Sequence, residues 1–522
     1  MKRFNTTGKC NPKVHYMVNI DRQVEAAARL VRRGDYFCIN RGRQYGKTTT
    51  LAALKERLEE EGYLVFSISF EGLDDIDVES LNRISGAILQ RMASYLKWEA
   101  SKGVPEEVAR LIKNYAETAR EGISSVDFAE FISELCNQRS VVMIIDEVDQ
   151  SSNYAAFVKL LGLLRNLYLK RDVRPTFQSV VLAGVYDIKN LKVKLRPEEE
   201  HQYNSPWNIA VPFLADMALP ENGIDQMLQD YAHEHQLTFD TAGMAREIRA
   251  YTAGYPFLVS RLCQIIDEEQ FTWDKQGLLR AVNAILKEEN TLFDDLVKKL
   301  EQYPKLKDLI RHILYLGVKK MYSADEYYLQ LAMRFNFLTE KDGYVQIACR
   351  LMETRLYNLF IAESNFEQMS TNGQADKNQY VHDGMIDMRH LLERFAVHFN
   401  DIFRTTDGKM DQTFVEKQGR QQFLLYLRPI INGIGNYYIE AETRDETRTD
   451  VIVDYLGQQY VIELKIWHGN AYNERGEKQL AAYLDYYHLQ TGYLVCFCFN
   501  RDKQPGIREV AVGNRKIVEV IV

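Results

Sequence analysis

Three sets of side chains in this sequence are spaced for chemistry on phosphates. The first lies in INRGRQYGKTTTLAAL (39–54), where Gly46, Lys47 and Thr48 close a stretch that fits the pattern G-x-x-x-x-G-K-[ST] at all fixed positions but one. The exception is Arg41, which stands where the pattern has glycine; Gly42 follows one residue late. In such a loop successive backbone N–H groups surround phosphate oxygens, and the positive end of the next helix adds its dipole. Lys47 would reach the phosphates of ATP and the Thr48 hydroxyl would hold Mg2+, with Gly42, Gly46 and Thr49 completing the cradle. Gly42 is expected to supply, one step late, the backbone freedom that Arg41 lacks.

The second set is Asp146-Glu147, at the end of RSVVMIIDEVDQ (139–150). The residues from Val141 to Ile145 are all apolar, as in a strand buried on both faces. Two carboxylates at the edge of such a strand are costly unless they serve a function. Asp146 is placed to bind the water shell of Mg2+ and Glu147 to orient an attacking water. Alone, the pair reads equally well as an acidic turn. Tyr186 or Asp187, at the end of SVVLAGVYDI (179–188), is a candidate γ-phosphate sensor or a plain loop residue.

The third set lies in YYIEAETRDETRTDVIVDYLGQQYVIELKIWHGN (437–470). Two strands joined by a short turn at Gly457 would bring Asp450 beside Glu463, and Glu463 and Lys465, two apart, share a face. Two carboxylates holding Mg2+ against a phosphodiester, with a lysine beside the attacking water, are what metal-dependent strand cleavage requires. On an exposed strand the same Glu-Leu-Lys is an ordinary solvated charge pair. Trp467 and His468 border this set, and packing explains them more simply than a rim role.

The elements needed to position these groups are legible. DYFCIN (35–40) is a short β-rich run before the loop, and TTTLAALKERLEEE, with Leu51, Leu54 and Leu58 on one face, is a helix after it. Strand, glycine-bearing loop and helix is the context a phosphate loop needs. LVFSISFEGL (64–73), the helical stretch 155–169 and the run at 179–188 continue the alternation, which specifies an α/β, doubly wound parallel sheet. Residues 265–362 are helical by pattern, interrupted by a hairpin around Lys341-Asp342-Gly343. ESNFEQMSTNGQADKNQ (363–379) is polar and marks a linker, taken to 385. FVEKQGRQQFLLYL (414–427) is a helix carrying Glu416, Arg420 and Phe423 at i, i+4 and i+7, and EKQLAAYLDYYHLQTGYLVCF is a helix, with Gln479 and Tyr483 one turn apart, then a strand.

The chain has 522 residues, 46% of them hydrophobic, and a net charge of −8, so it can bury several cores and nothing global advertises nucleic-acid or membrane binding. Acidic and basic side chains nearly balance over 386–522, so any DNA affinity there rests on local placement and metal. Seven cysteines without a C-x-x-C pair argue against a disulfide framework and a zinc site. The first residues lack an apolar signal segment and no long apolar run follows, so a cytoplasmic setting is expected.

FNTTGKCNPKVHYMV, YFCINRGRQYGKTTTL, IIDEVD and LAGVYDIKNLK together resemble the AAA-like ATPases of bacterial chromosomes, whose phosphate loops, as in R-P-R-R-F-G-K-S, carry arginine first. TAGYPFLVSRLC (252–263) resembles the Gly-x-Pro element of STAND-type ATPases. The helix–hairpin–helix region resembles a winged helix, a fold that binds DNA in some proteins and only packs in others; no basic stripe accompanies it. Residues 386–522 resemble the restriction-endonuclease-like PD-(D/E)xK fold. In that resemblance Glu416 is the helical glutamate, Asp450 the first acidic position (preceded by Thr449 and not proline), Glu463-Leu464-Lys465 the E-x-K and Gln479 with Tyr483 the helical Q-x-x-x-Y.

The implied organisation is an ATPase domain at 1–264, a helical or winged-helix domain at 265–362, a linker at 363–385 and a nuclease-like domain at 386–522. The function expected is an ATP-hydrolysing switch governing Mg2+-dependent DNA cleavage, by family analogy in phage defence or mobile-element biology. The alternative is a signalling ATPase whose C-terminal domain only binds nucleic acid or protein. A non-hydrolysing scaffold is disfavoured by Asp146-Glu147.

Overall fold

The computed structural model describes residues 2–98, 104–150, 155–185, 206–316, 320–368, 380–382, 385–404, 416–431, 435–438, 451–455, 458–467, 470–487, 489–498 and 506–522. They form two compact units: residues 1–249 with 254–274, and residues 250–253 with 275–522.

The first unit runs α1 (Asp21–Arg32), β1 (Phe37–Asn40), α2 (Lys47–Glu60), β2 (Leu64–Ser69), α3 (Leu81–Trp98), α4 (Glu106–Thr118), α5 (Ser125–Gln138), β3 (Val141–Asp146), α6 (Ala155–Leu169), β4 (Ser179–Gly184), β5 (Val211–Pro212), α7 (Glu221–His235), α8 (Thr241–Thr252) and α9 (Pro256–Glu268). Its sheet has five parallel strands in the order β2-β3-β4-β1-β5. Side chains alternate across a strand, so each strand feeds two cores. Cys38, Phe66, Met143, Ile145, Val180 and Leu182 pack on one face against α3, α5 and α6. Phe37, Ile39, Val65, Val142, Ile144 and Val181 pack on the other against Val24, Ala28 and Val31 of α1 and Leu51, Leu54 and Leu58 of α2. Helices cover both faces, which is why the strands read as unbroken apolar runs. Local signals set the ends: Ser124 caps α5 by accepting from the Asp127 N–H, and Pro256 occupies the first turn of α9.

The second unit begins with a helical region, α10 (Lys275–Lys287), α11 (Thr291–Gln302), α12 (Pro304–Leu316), α13 (Tyr327–Arg334), the hairpin β6 (Leu338–Lys341) and β7 (Tyr344–Ile347), and α14 (Arg350–Gln368). Asp342 and Gly343 turn that hairpin with φ of 54° and 82°, the primed turn that matches strand twist. Helix α14 continues to Gln368, so the stretch expected as a linker from 363 opens inside a helix.

A hairpin of β8 (Val381–His382) and β9 (Met385–Ile386), then α15 (Met388–Arg404) and α16 (Glu416–Ile431), lead to β10 (Gly435–Tyr438), β11 (Val451–Tyr455), β12 (Gln458–Ile466), α17 (Asn470–Tyr486), β13 (Thr491–Phe497), β14 (Gly506–Val512) and β15 (Arg515–Ile521). The last six strands make one mixed sheet, ordered β10-β11-β12-β13-β15-β14, in which β12, β13 and β15 are parallel and the outer pairs antiparallel. Glycine permits close layers here: a Cβ at Gly492 would lie 2.9 Å from Leu484 of α17, and one at Gly419 of α16 would lie 2.3 Å from Phe497. Strand β14 is an edge, and its Glu509 pairs with Lys516 at 2.8 Å and with Arg389. No helix among the described residues is long and apolar enough to cross a membrane.

Candidate functional site

The phosphate loop, residues 41–48, leaves the C-terminal end of β1 and enters α2, while Asp146 and Glu147 leave the C-terminal end of β3, two strands away in the sheet. Ligands of open parallel sheets sit at this edge. The structure brings together Gly42, Gly46, Lys47, Thr48, Thr49, Asp146 and Glu147. Gly46 caps α2 in the left-handed region, φ 82°, and the nearest atom to a Cβ there would be Pro256 Cγ at 3.8 Å. The buried Lys47 ammonium donates to the carbonyls of Arg41 (3.1 Å) and Gly42 (3.0 Å), holding the loop in an arch. The Thr48 hydroxyl donates to Asp146 Oδ2 at 3.1 Å, so the two groups expected around Mg2+ are in contact. The Glu147 N–H donates to Asp146 Oδ1 at 2.9 Å, and Glu147 takes a left-handed φ of 53°. That conformation is costly for glutamate and turns its side chain out of the strand direction.

The electrostatics follow from burial. Desolvation lowers the pKa of Lys47, opposed by the charges of Glu147, Asp146 and Asp149. Desolvation raises that of Glu147, opposed chiefly by Lys47. Asp149 closes the IIDEVD stretch, but the sequence assigns it no role. Its carboxylate accepts from the Val185 N–H, and a Cβ on Gly184 would lie 2.8 Å from it, so it pins the end of β4 beside the site.

One expectation is corrected. Gly42 does not supply positive-φ freedom; the left-handed residues of the loop are Gln44 (54°) and Gly46 (82°). The reversal falls two residues later because Arg41 still continues the sheet, its N–H donating to the Gly184 carbonyl at 3.1 Å. The Arg41 guanidinium donates to the carbonyls of Asn40 (2.9 Å) and Ala215 (3.0 Å).

Beside the loop lies a small apolar cavity of about 60 Å³, bordered by Tyr16, Val18, Tyr45, Met217, Leu219, Met227 and Pro256, with Thr49 and Thr50 on its α2 side. Tyr255 packs edge-on against Tyr45 with ring centres 4.7 Å apart, and its hydroxyl donates to the Arg43 carbonyl. Cys10 and Thr49 also border an adjoining polar cavity of about 650 Å³, and the Cys10 N–H donates to the Thr49 hydroxyl at 3.1 Å. An apolar slot next to a phosphate cradle suits a flat nucleobase. These residues come from four separated segments, and Met217, Leu219 and Met227 lie in none of the stretches that carry a resemblance.

In the second unit, β12 and α17 bring together Glu463, Lys465 and Gln479. Lys465 Nζ lies 3.4 Å from Glu463 Oε1 and donates to Gln479 Oε1 at 3.0 Å. Glu463 is 1% exposed, so the pair is not a solvated surface contact. A Cβ on Gly476 would lie 3.3 Å from Lys465 Cδ, so the helix leaves the lysine its room. Tyr483 is buried on the same helix, and Arg420 and Phe423 are buried on α16, of which Glu416 is the first residue. Strands β11 and β12 pair up to Val451 opposite Ile462. Asp450, His468, Tyr186 and Asp187 lie outside the described residues.

Residues 9–361 match the AAA-like domain family. None of the curated proteins matches the chain. Among solved structures, a Walker-type ATPase of Pyrococcus abyssi is 14% identical, with 68% of this chain and 99% of that one covered at a TM-score of 0.46. Cdc6p from Pyrobaculum aerophilum is 13% identical, covering 66% and 94%, TM-score 0.30. AMPPCP-bound DnaA from Aquifex aeolicus is 12% identical, covering 70% and 99%, TM-score 0.30. The family match takes in the whole phosphate loop, Asp146-Glu147 and more than half of the chain: it belongs to the AAA-like domain family and is a Walker-type P-loop ATPase.

Proposed function

We propose that this ATPase is a switch that hydrolyses Mg2+-ATP in its first unit and thereby governs Mg2+-dependent DNA cleavage by a PD-(D/E)xK domain in its second. At the nucleotide site Thr48 and Asp146 would hold Mg2+, which when bound neutralises charge on the phosphates. The contact between them suits cation binding, because a hydroxyl and a carboxylate oxygen already share one small space. Lys47 would exchange its two carbonyl partners for phosphate oxygens, and Thr49, Gly42 and Gly46 would frame them. Glu147 orients the attacking water, and its burial favours taking up a proton as that water loses one.

The reading of the second unit is carried by one observation: Lys465 reaches both the buried Glu463 and Gln479. Burying a carboxylate on a sheet is costly, on the order of several kcal/mol, unless it is compensated. Lys465 offsets part of that cost, and a bound cation would offset more of it. Glu463 with Asp450 would hold Mg2+ at the scissile phosphodiester, Lys465 would stabilise the attacking water, and Gln479 would fix the ammonium; the resemblance adds Glu416, whose side chain lies outside the described residues.

The test is cleavage of plasmid DNA by the full chain, with and without ATP. Lys465→Ala and Asp450→Ala should lose cleavage and keep ATP hydrolysis. Glu147→Gln with ATP should trap one cleavage state, fully on or fully off. Cleavage by Lys465→Ala at the wild-type rate removes the Glu463–Lys465 site as its source, and no cleavage by the wild type leaves a docking module controlled by an ATPase.

A further inference from the structure

We propose that Arg41, standing where the phosphate-loop pattern has glycine, is a positioning residue that locks the phosphate loop to the wall of the base cavity. The proposal rests on the nucleotide site described above and concerns how its two halves are held together.

The contacts close a ring. Arg41 donates to the Ala215 carbonyl at 3.0 Å. Two and four residues on, Met217 and Leu219 border the apolar cavity. The Leu219 N–H donates to the Gly254 carbonyl at 2.8 Å. The next residue, Tyr255, donates from its hydroxyl to the carbonyl of Arg43, back in the phosphate loop. Pro256, which follows, borders the same cavity and faces Gly46. The cavity is thus bordered by the very segments that the ring ties to the loop.

Arginine suits its place in this ring. Its planar fork presents several donors in a fixed geometry, and here two of them meet two carbonyls, Asn40 at 2.9 Å and Ala215 at 3.0 Å. Glycine at 41 would satisfy the loop pattern and leave the Ala215 segment untied on this side. The phosphate loop itself has its own arch, made by Lys47. The ring therefore bears on the spacing between phosphates and base, and on the ordering cost that a ligand spanning both must meet. A ligand made of phosphates alone does not feel that spacing.

The experiment is a comparison of Mg2+-ATP and Mg2+-tripolyphosphate binding by calorimetry, using the full chain as wild type, Arg41→Gly, Arg41→Lys and Lys47→Ala. Arg41→Gly should weaken ATP about tenfold or more and tripolyphosphate less than about twofold, because only ATP gains from pre-set spacing. Arg41→Lys, with one compact ammonium, should fall between. ATP binding by Arg41→Gly as tight as wild type overturns the proposal. So does an equal loss for both ligands, which is what general loosening of the fold produces. Lys47→Ala losing both ligands confirms that they use the phosphate loop. Failure of wild type to bind ATP at all removes the nucleotide reading, and this proposal with it.

Discussion

Gly254 offers the sharpest test of how tightly the nucleotide half is built. Its φ is +76°, and a Cβ there would lie 2.3 Å from the Leu219 carbonyl oxygen. That oxygen is backbone and cannot swing aside. In Gly254→Ala the left-handed torsion alone costs about 1–2 kcal/mol. Relieving the clash must also stretch or break the 2.8 Å bond from the Leu219 N–H to the Gly254 carbonyl, about 1 kcal/mol more. The sum is roughly 2–3 kcal/mol, large against a typical total stability of about 5–15 kcal/mol. Gly72→Ala is the matched control: φ is +73° there, but nothing lies within 4 Å of the added Cβ. Urea unfolding followed by far-UV circular dichroism should show the Gly254 variant losing at least about 1 kcal/mol more than the Gly72 variant. ATP titration should show weaker binding in the Gly254 variant alone, because Leu219 and Pro256 border the apolar cavity beside the phosphate loop. Equal stability losses in the two variants, with unchanged ATP affinity in both, would refute the reasoning.

Other outcomes are expected. Lys47→Ala should abolish measurable ATP binding in a fluorescence-polarisation assay. Glu147→Gln should bind ATP normally while its steady-state hydrolysis falls by about 10²–10⁴-fold, the range for losing a positioned base. Chelating Mg2+ with EDTA should stop hydrolysis in the wild type, and titrating Mg2+ back should restore it. Leu54→Ala, at a fully buried position of α2, should cost about 2–5 kcal/mol by chemical denaturation. Gly343→Ala, in the β6–β7 turn at φ 82°, should cost about 1 kcal/mol by the same measurement and leave ATP hydrolysis unaltered.

Much of the nucleotide half could be read directly, because its physics is local. An all-apolar run such as 141–145 has few options besides a strand covered on both sides, and Gly46-Lys47-Thr48 between strand and helix has one well-defined use. What escaped reading depends on distant partners. The ends of Arg41 meet a carbonyl 174 residues away, and the cavity draws on Tyr16, Met217 and Pro256, which share no motif. Gly42 misled because a glycine near the pattern position invites a torsional explanation, whereas the sheet still holds Arg41 and the chain reverses at Gln44. In the second unit the strand alternation placed Glu463 and Lys465 on one face, but strand spacing carries no information about depth. That Glu463 is buried follows from α17 lying over it, with Gly476 making room for Lys465.

Strand β14 has a consequence for the life of the protein outside its chemistry. An open sheet edge is a template on which another chain can lay down a strand and begin to aggregate. Seven residues, Gly506–Val512, present such an edge, and they include Val510 and Val512, which would favour stacking. Glu509 sits in the middle of this run, held between Lys516 and Arg389. A second copy approaching in register would meet an ion-paired carboxylate that must be stripped of its partners or brought against its own equivalent. The salt pairs on this surface add little to folding free energy. A charge fixed at this place opposes the addition of a further strand at β14.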